Sequence, residues 1–307
     1  MITIDKSLSV RKKEMLTYFR GRASESLGEV RRIYGTTEFK AQASAINRAT
    51  IETRDNITKT LLQRAIKEKW SNEETLKCIL MVTYSSYIVM IECRNEVWPY
   101  EYMTFSRRIG ELWQPFCKLC FDYPLIDLAL FVPPLFSEVK QNLTTEIEDY
   151  IDILTITEEQ KKQLKGYYNK VWSLVTSGEI KLELDLHFEQ NKEKFVVDFK
   201  SGFGSNEKGN TNRLLLVASV YKNLEENYRC LLLVRAEEDR NNNYFQILKK
   251  SGIWEAYCGN ETYSKIEEHS GFNIKGWIEN NIDWSSDFRS NTMQYFRDNN
   301  LDQYLKW

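Results

Sequence analysis

The sequence predicts an α/β (α+β) protein, a mixed β-sheet flanked by helices with a large helical N-terminal part. Three observations predict it. Only 13 Gly and 5 Pro punctuate 307 residues, too few turn-formers for an all-β sandwich. Residues Glu38 to Trp70 run without a single Gly or Pro and read as long helix. From Glu179 the period then shortens to two, with Leu182, Leu184, Leu186 and Phe188 alternating with Glu183, Asp185, His187 and Glu189. Apolar residues make up 42% of the chain, enough for a substantial core and incompatible with disorder.

Taken in order, the helix over Glu38–Trp70 carries basic residues along its length, and these read either as a solvated face or as a nucleic-acid surface. Ser71-Asn-Glu-Glu74 is a capping box that opens an apolar helix through Arg94, and Trp98-Pro99 breaks it. A third helix is expected from Met103 to Phe121, kinked or bounded at Pro115. Pro133-Pro134 ends a short apolar segment, and an acidic helix follows through Tyr150. Thr157 caps another helix that Gly178 closes. Asn191-Lys192 is a turn between the alternating strand and a second one, Lys194–Lys200. A Gly/Ser/Asn-rich loop, Ser201 to Asn212, leads to a helix over Arg213–Leu224, and Cys230–Val234 reads as a strand buried on both faces. Strand, hairpin, strand, helix and strand imply a mixed sheet closed by a βαβ crossover. The tail from Asn243 to Trp307 is expected to be mainly helical. No internal repeat is visible. The chain is expected to divide into a helical region, 1–100, and a remainder, 101–307.

Charge and cysteines narrow the function classes. The formal net charge is -2, so the total names no partner, although the first 70 residues are basic and the rest acidic. Two histidines, His187 and His269, argue against multi-histidine zinc sites and histidine-centred nucleases. Six cysteines lack a framework spacing, and Cys117-x-x-Cys120 has no second pair to complete a zinc site. The apolar window Cys78–Ile91 falls short of the roughly 20 residues that span a bilayer, so a buried core helix is expected. No signal peptide is read at the N-terminus, and the chain is expected to be soluble and cytoplasmic.

The hairpin brings acids together. A two-residue turn at Asn191-Lys192 sets Asp185 opposite Asp198 and Glu183 opposite Lys200, all on one face, with Leu184, Leu186, Val197 and Phe199 on the other. Directly opposed residues have Cβ atoms about 4.5–5.5 Å apart, and two carboxylates that close repel unless a cation sits between them. With a lysine alongside, such a pair suits a hard divalent ion and an activated water. The alternative is a surface hairpin with solvated acids.

An acid, then a second acid two residues before a lysine on the adjoining strand, resembles the PD-(D/E)xK nuclease superfamily. Here it reads Glu183-Leu-Asp185 followed by Asp198-Phe-Lys200, with Leu184 where the eponymous proline would stand. The bare Asp/Glu-x-Lys pattern also occurs elsewhere, Glu38, Glu159 and Glu179 among the matches, but Asp198 alone combines strand context, a partner acid and a following helix. The resemblance covers about residues 180–236 and is most like a type II restriction endonuclease; residues 101–307 would then hold a nuclease core, and residues 1–100 a DNA-contacting region. It implies that Asp185, Asp198 and the Phe199 carbonyl bind Mg²⁺, and that Lys200 orients or deprotonates the attacking water. Glu183, or Glu111 on the preceding Phe105–Glu111 helix, would hold a second ion or position Lys200. The products would carry 5′-phosphate and 3′-hydroxyl ends. Ser201, Ser205, Asn206, Lys208, Asn210, Asn212 and Arg213 offer donors to DNA phosphates or base edges, unless their loop is only a flexible connection. Arg107 and Arg108 are further phosphate candidates that could equally pair with acids. No phosphate-binding P-loop motif is present. Double-stranded DNA, a homodimer and a companion DNA methyltransferase acting on the same site complete what the resemblance implies. A structure-specific or repair nuclease and a non-catalytic nucleic-acid-binding protein are the competing readings.

Overall fold

Ser71 nucleates the central helix as expected: its Oγ accepts from the Glu74 N–H at 3.1 Å, and the Glu74 carboxylate accepts from the Ser71 N–H at 2.9 Å. In the computed structural model, which describes residues 2–35, 37–175, 180–204, 207–224 and 227–307, this helix is the third of four that form the N-terminal part. They are α1 (Lys12–Tyr34), α2 (Phe39–Glu68), α3 (Asn72–Val97) and α4 (Tyr102–Asp122). Among the described residues α3 is the one helix long and apolar enough to cross a membrane, and 94% of its most apolar window is buried inside the protein. It is longer than the apolar window alone suggests, and it is a core helix. Arg20 of α1 clasps the buried Glu92 of α3 through two hydrogen bonds of 3.0 and 2.6 Å. Helix α4 continues through Pro115 instead of ending there, because Trp113, Phe116, Cys117 and Cys120 bury its apolar face around the proline.

The remaining elements are β1 (Ala129–Leu130), α5 (Phe136–Ile153), α6 (Glu158–Val175), β2 (Leu186–Gln190), β3 (Glu193–Lys200), α7 (Lys208–Lys222), β4 (Tyr228–Val234), α8 (Asn243–Lys249), β5 (Trp254–Cys258), α9 (Asn260–Ser270), α10 (Ile274–Asn281), α11 (Trp284–Asp287) and α12 (Ser290–Asp298). Thr157 caps α6 as expected, its Oγ1 accepting from the Gln160 N–H at 3.3 Å; Gly178, read as the end of that helix, lies outside the described residues. The strands form one mixed sheet in the order β1-β2-β3-β4-β5. Pairing is antiparallel from β1 to β3 and parallel from β3 to β5. The mixed α/β class therefore holds. β1 and β5 were not legible, the first because two residues make no pattern and the second because it lies in a tail read as helical.

Each face of the sheet is covered. Leu186, Phe188, Phe195, Val197, Phe199, Leu231 and Leu233 pack into the cluster that also holds α1–α4 and the C-terminal helices. Val196, Cys230, Leu232, Val234, Trp254 and Ala256 pack under α5, α7 and α8. The first cluster crosses residue 100 without a break, so the N-terminal helices are built onto the sheet.

The hairpin register is the expected one: Leu186 faces Val197 and Gln190 faces Glu193. Asn191 and Lys192 make the turn at φ of 53° and 66°, the left-handed pair that a two-residue hairpin loop needs. Asn tolerates that region, but for a lysine it costs about 1–2 kcal/mol. Lys192→Gly is therefore expected to stabilise the fold by up to about 1 kcal/mol, since glycine's lost entropy offsets part of the relief. A higher urea midpoint with an unchanged slope would show it.

Candidate active site

The predicted strand from Leu182 is shorter than its alternation suggests, and that shapes the site. Tyr221 Oη donates to the Leu182 carbonyl at 3.0 Å, and the Leu184 N–H approaches His187 Nε2 at 3.4 Å. These bonds draw residues 182–184 out of the ladder, and Leu182 and Leu184 pack into the α7-side cluster with Val196. Leu184 is thus not on the Leu186 face, a correction to the parity reading. Glu183 is exposed and β2 begins only at Leu186, so the predicted pairing of Glu183 with Lys200 does not form. His187 is buried in this network, and burial pushes its pKa down to about 4, leaving the ring neutral near pH 7.

Asp185 sits where the ladder stops. Its Oδ2 accepts from the Phe199 N–H at 2.7 Å, taking the place a strand partner would occupy. Across β3 the Lys200 carbonyl accepts from the Arg235 N–H on the β4 side. Alternation therefore turns the Phe199 peptide, carbonyl included, toward the edge that β2 has left open.

Asp198 is 1% exposed and shares the face of Val196. Lys200 Nζ lies 2.6 Å from Asp198 Oδ2, and Arg213 Nη2 lies 3.7 Å from Oδ1. The lysine contact is close but poorly aligned, leaving Oδ2 without a well-formed hydrogen bond. Burial pushes the Asp198 carboxyl up to about 6; Lys200 and Arg213 pull it down, while the Asp185 charge pushes it further up. Asp185, Asp198 and Lys200 are thus neighbours, as their spacing predicts.

The donors here fit Mg²⁺ in kind. A buried carboxylate oxygen lacks a good donor, a second carboxylate is close enough to raise its pKa, and a backbone carbonyl faces the same open edge. Magnesium keeps several waters and takes only one or two protein carboxylates in such sites. Among the described residues no three His, Cys, Asp or Glu side chains converge, so any ion would rest on this sparse set. The thiols offer no alternative: Cys117 and Cys120 are fully buried, and burial holds both pKa values above the ordinary thiol range.

Lys200 also lines a cleft of about 630 Å³ at the carboxyl-terminal ends of β3 and β4, opposite α4. Of the predicted residues, Arg107, Glu111, Phe199, Lys200 and Ser201 line it, whereas Asp185, Asp198 and Arg213 do not. Glu111 is held by Arg107 at 2.6 Å and Arg108 at 3.4 Å, so both arginines pair with an acid in this structure. The donor loop is shorter than expected: Lys208, Asn210, Asn212 and Arg213 belong to the first turns of α7. Asn210 bonds Glu207 at 3.0 Å, while Ser205 and Asn206 lie outside the described residues. Arg235 and Arg240 also line the cleft and were missed. Arg235 had a readable signal, as the first residue beyond the apolar run Cys230–Val234, at the end of a parallel strand where α/β sites collect.

Helix α4 approaches β3 at Gly110, where an added Cβ would stand 2.7 Å from Ser201 Cβ. Gly110→Val is expected to wedge the cleft open and cost about 1–3 kcal/mol, as overpacking does. A drop in urea midpoint would check it.

Comparison with protein-family models, curated proteins and solved structures found no match to this chain.

Proposed function

We propose that the chain is a Mg²⁺-dependent endonuclease that hydrolyses phosphodiester bonds of double-stranded DNA, of the type II restriction kind. One observation carries the reading. A buried aspartate, a second aspartate and a lysine gather at the open end of a β-hairpin whose second strand runs on, through a helix, into a parallel strand.

Asp185 and Asp198 would hold the ion, with the Phe199 carbonyl beside them. The ion, when bound, would supply charge for the phosphate and a more acidic water. Lys200 does the positioning. Its ammonium is anchored by Asp198 and half-buried at the cleft, where it can hold the attacking water and offset charge growing on the phosphoryl oxygens. Phe199 and Asp185 hold the hairpin end in place through their 2.7 Å hydrogen bond. Glu111 would act only after leaving Arg107 and Arg108, which makes it an auxiliary acid in this reading.

Methylation-free phage DNA incubated with the protein, with and without Mg²⁺, tests the proposal. Discrete Mg²⁺-dependent fragments with 5′-phosphate ends are expected. A smear would remove the site specificity, and intact DNA would remove the enzyme.

A further inference from the structure

The cleft beside Lys200 has two unlike walls. On one stand Lys200, Arg235 and Arg240; on the other, at the start of α4, Tyr102 and Met103 are 56% and 65% exposed. Gln114 lines the same space. Lys200 is paired with Asp198, but among the described residues neither Arg235 nor Arg240 has a carboxylate within 4.0 Å. Arg235 Nη1 donates instead to the Lys306 carbonyl at 2.6 Å. Four cations and two acids line the cleft, Arg107, Lys200, Arg235 and Arg240 against Glu111 and Glu207.

A cleft of about 630 Å³ matches the size that encloses a small ligand. Lys200, Arg235 and Arg240 from the sheet side, facing an α4 side that carries an exposed aromatic and a thioether beside the Arg107–Glu111 pair, suit a phosphate and an unstacked base.

We infer that this cleft takes a single nucleotide turned out of the base stack, its phosphate on Arg235 and Arg240, its base against Tyr102 and Met103, and its edge within reach of Gln114. The inference rests on the DNA-cleaving reading and deepens it by naming the substrate's local form. Unpaired or easily flipped positions beside the scissile phosphate would be preferred, because less stacking must be broken to fill the cleft.

The test uses the full chain in EDTA, so that binding is read without cleavage, and duplexes carrying one 2-aminopurine. The probe is placed in a base pair, in a one-nucleotide bulge or in a single-stranded overhang. The bulged and overhanging probes are expected to bind about fivefold or more tightly than the paired one and to be quenched on binding. Tyr102→Ala, at an exposed position, is expected to abolish that preference while duplex binding persists. Arg240→Gln is expected to weaken all three and to lower the salt slope by about one. Equal affinity for paired and unpaired probes, or an unchanged preference in Tyr102→Ala, would overturn the inference while leaving the nuclease reading standing. Failure to bind any probe would overturn the inference, and Mg²⁺-dependent cleavage would decide the nuclease reading separately.

Discussion

Lys200→Ala is expected to lose cleavage by about a hundred- to a thousandfold, the scale seen when one preorganised donor to a developing oxyanion is removed. Arg213, the other cation near Asp198, is 3.7 Å away and does not line the cleft. Removing Lys200 also takes away the largest influence lowering the Asp198 pKa, so the carboxyl would titrate still higher. Asp198→Ala is expected to be equally inactive, because it removes the buried carboxylate that both anchors the lysine and would hold the ion. Binding to duplex in EDTA should change little in either variant. Cleavage at the wild-type rate by either one would contradict the assignment.

Asp198→Asn is expected to make the protein more stable near neutral pH while making it inactive. The folded-state pKa of Asp198 is raised to about 6, chiefly by burial. A carboxyl whose native pKa lies above its unfolded value binds more protons folded than unfolded. Its contribution is therefore most favourable at pH values below the unfolded pKa, and stability falls as pH rises through the folded pKa. With an unfolded pKa of about 3.9, the ionised form costs roughly 3 kcal/mol at neutral pH. That folded-state value already includes the lysine contact, so asparagine, which stands in for the protonated carboxyl, is expected to gain about 1–3 kcal/mol. Urea denaturation in EDTA should show a clear gain at about pH 8, shrinking toward about pH 4.5 as the wild-type carboxyl protonates. A gain that does not depend on pH would place its origin elsewhere.

Much of this architecture could be read before any coordinates. The capping box at Ser71, the turn at Asn191-Lys192 and the register it sets follow from local chemistry, and the structure repeats each. Because that register is local, the nearness of Asp185 to Asp198 was readable as well. What failed depended on distant partners. Leu182 and Leu184 alternate like strand residues, but Tyr221 and His187 pull their backbone away, and Tyr221 lies 39 positions from Leu182. Glu183 was assigned to the site on parity that this departure cancels. The loop after Lys200 looked long because Gly209 and three asparagines resemble a turn, yet α7 begins at Lys208 with Thr211, Leu214 and Val217 buried against the sheet. Arg240 could not be assigned from sequence, since the short 3-10 turn that carries it, Glu238–Arg240, shows no periodic pattern.

In the proposed site Asp185 and Asp198 would together hold one divalent ion. Manganese(II) titration followed by electron paramagnetic resonance reads this directly, using Lys200→Ala with duplex DNA so that both carboxylates stay and nothing is cleaved. Protein-dependent loss of the free-ion signal is expected, abolished when Asp185→Asn or Asp198→Asn is added. Equal manganese binding with and without the two carboxylates, or none in the presence of DNA, would contradict the account.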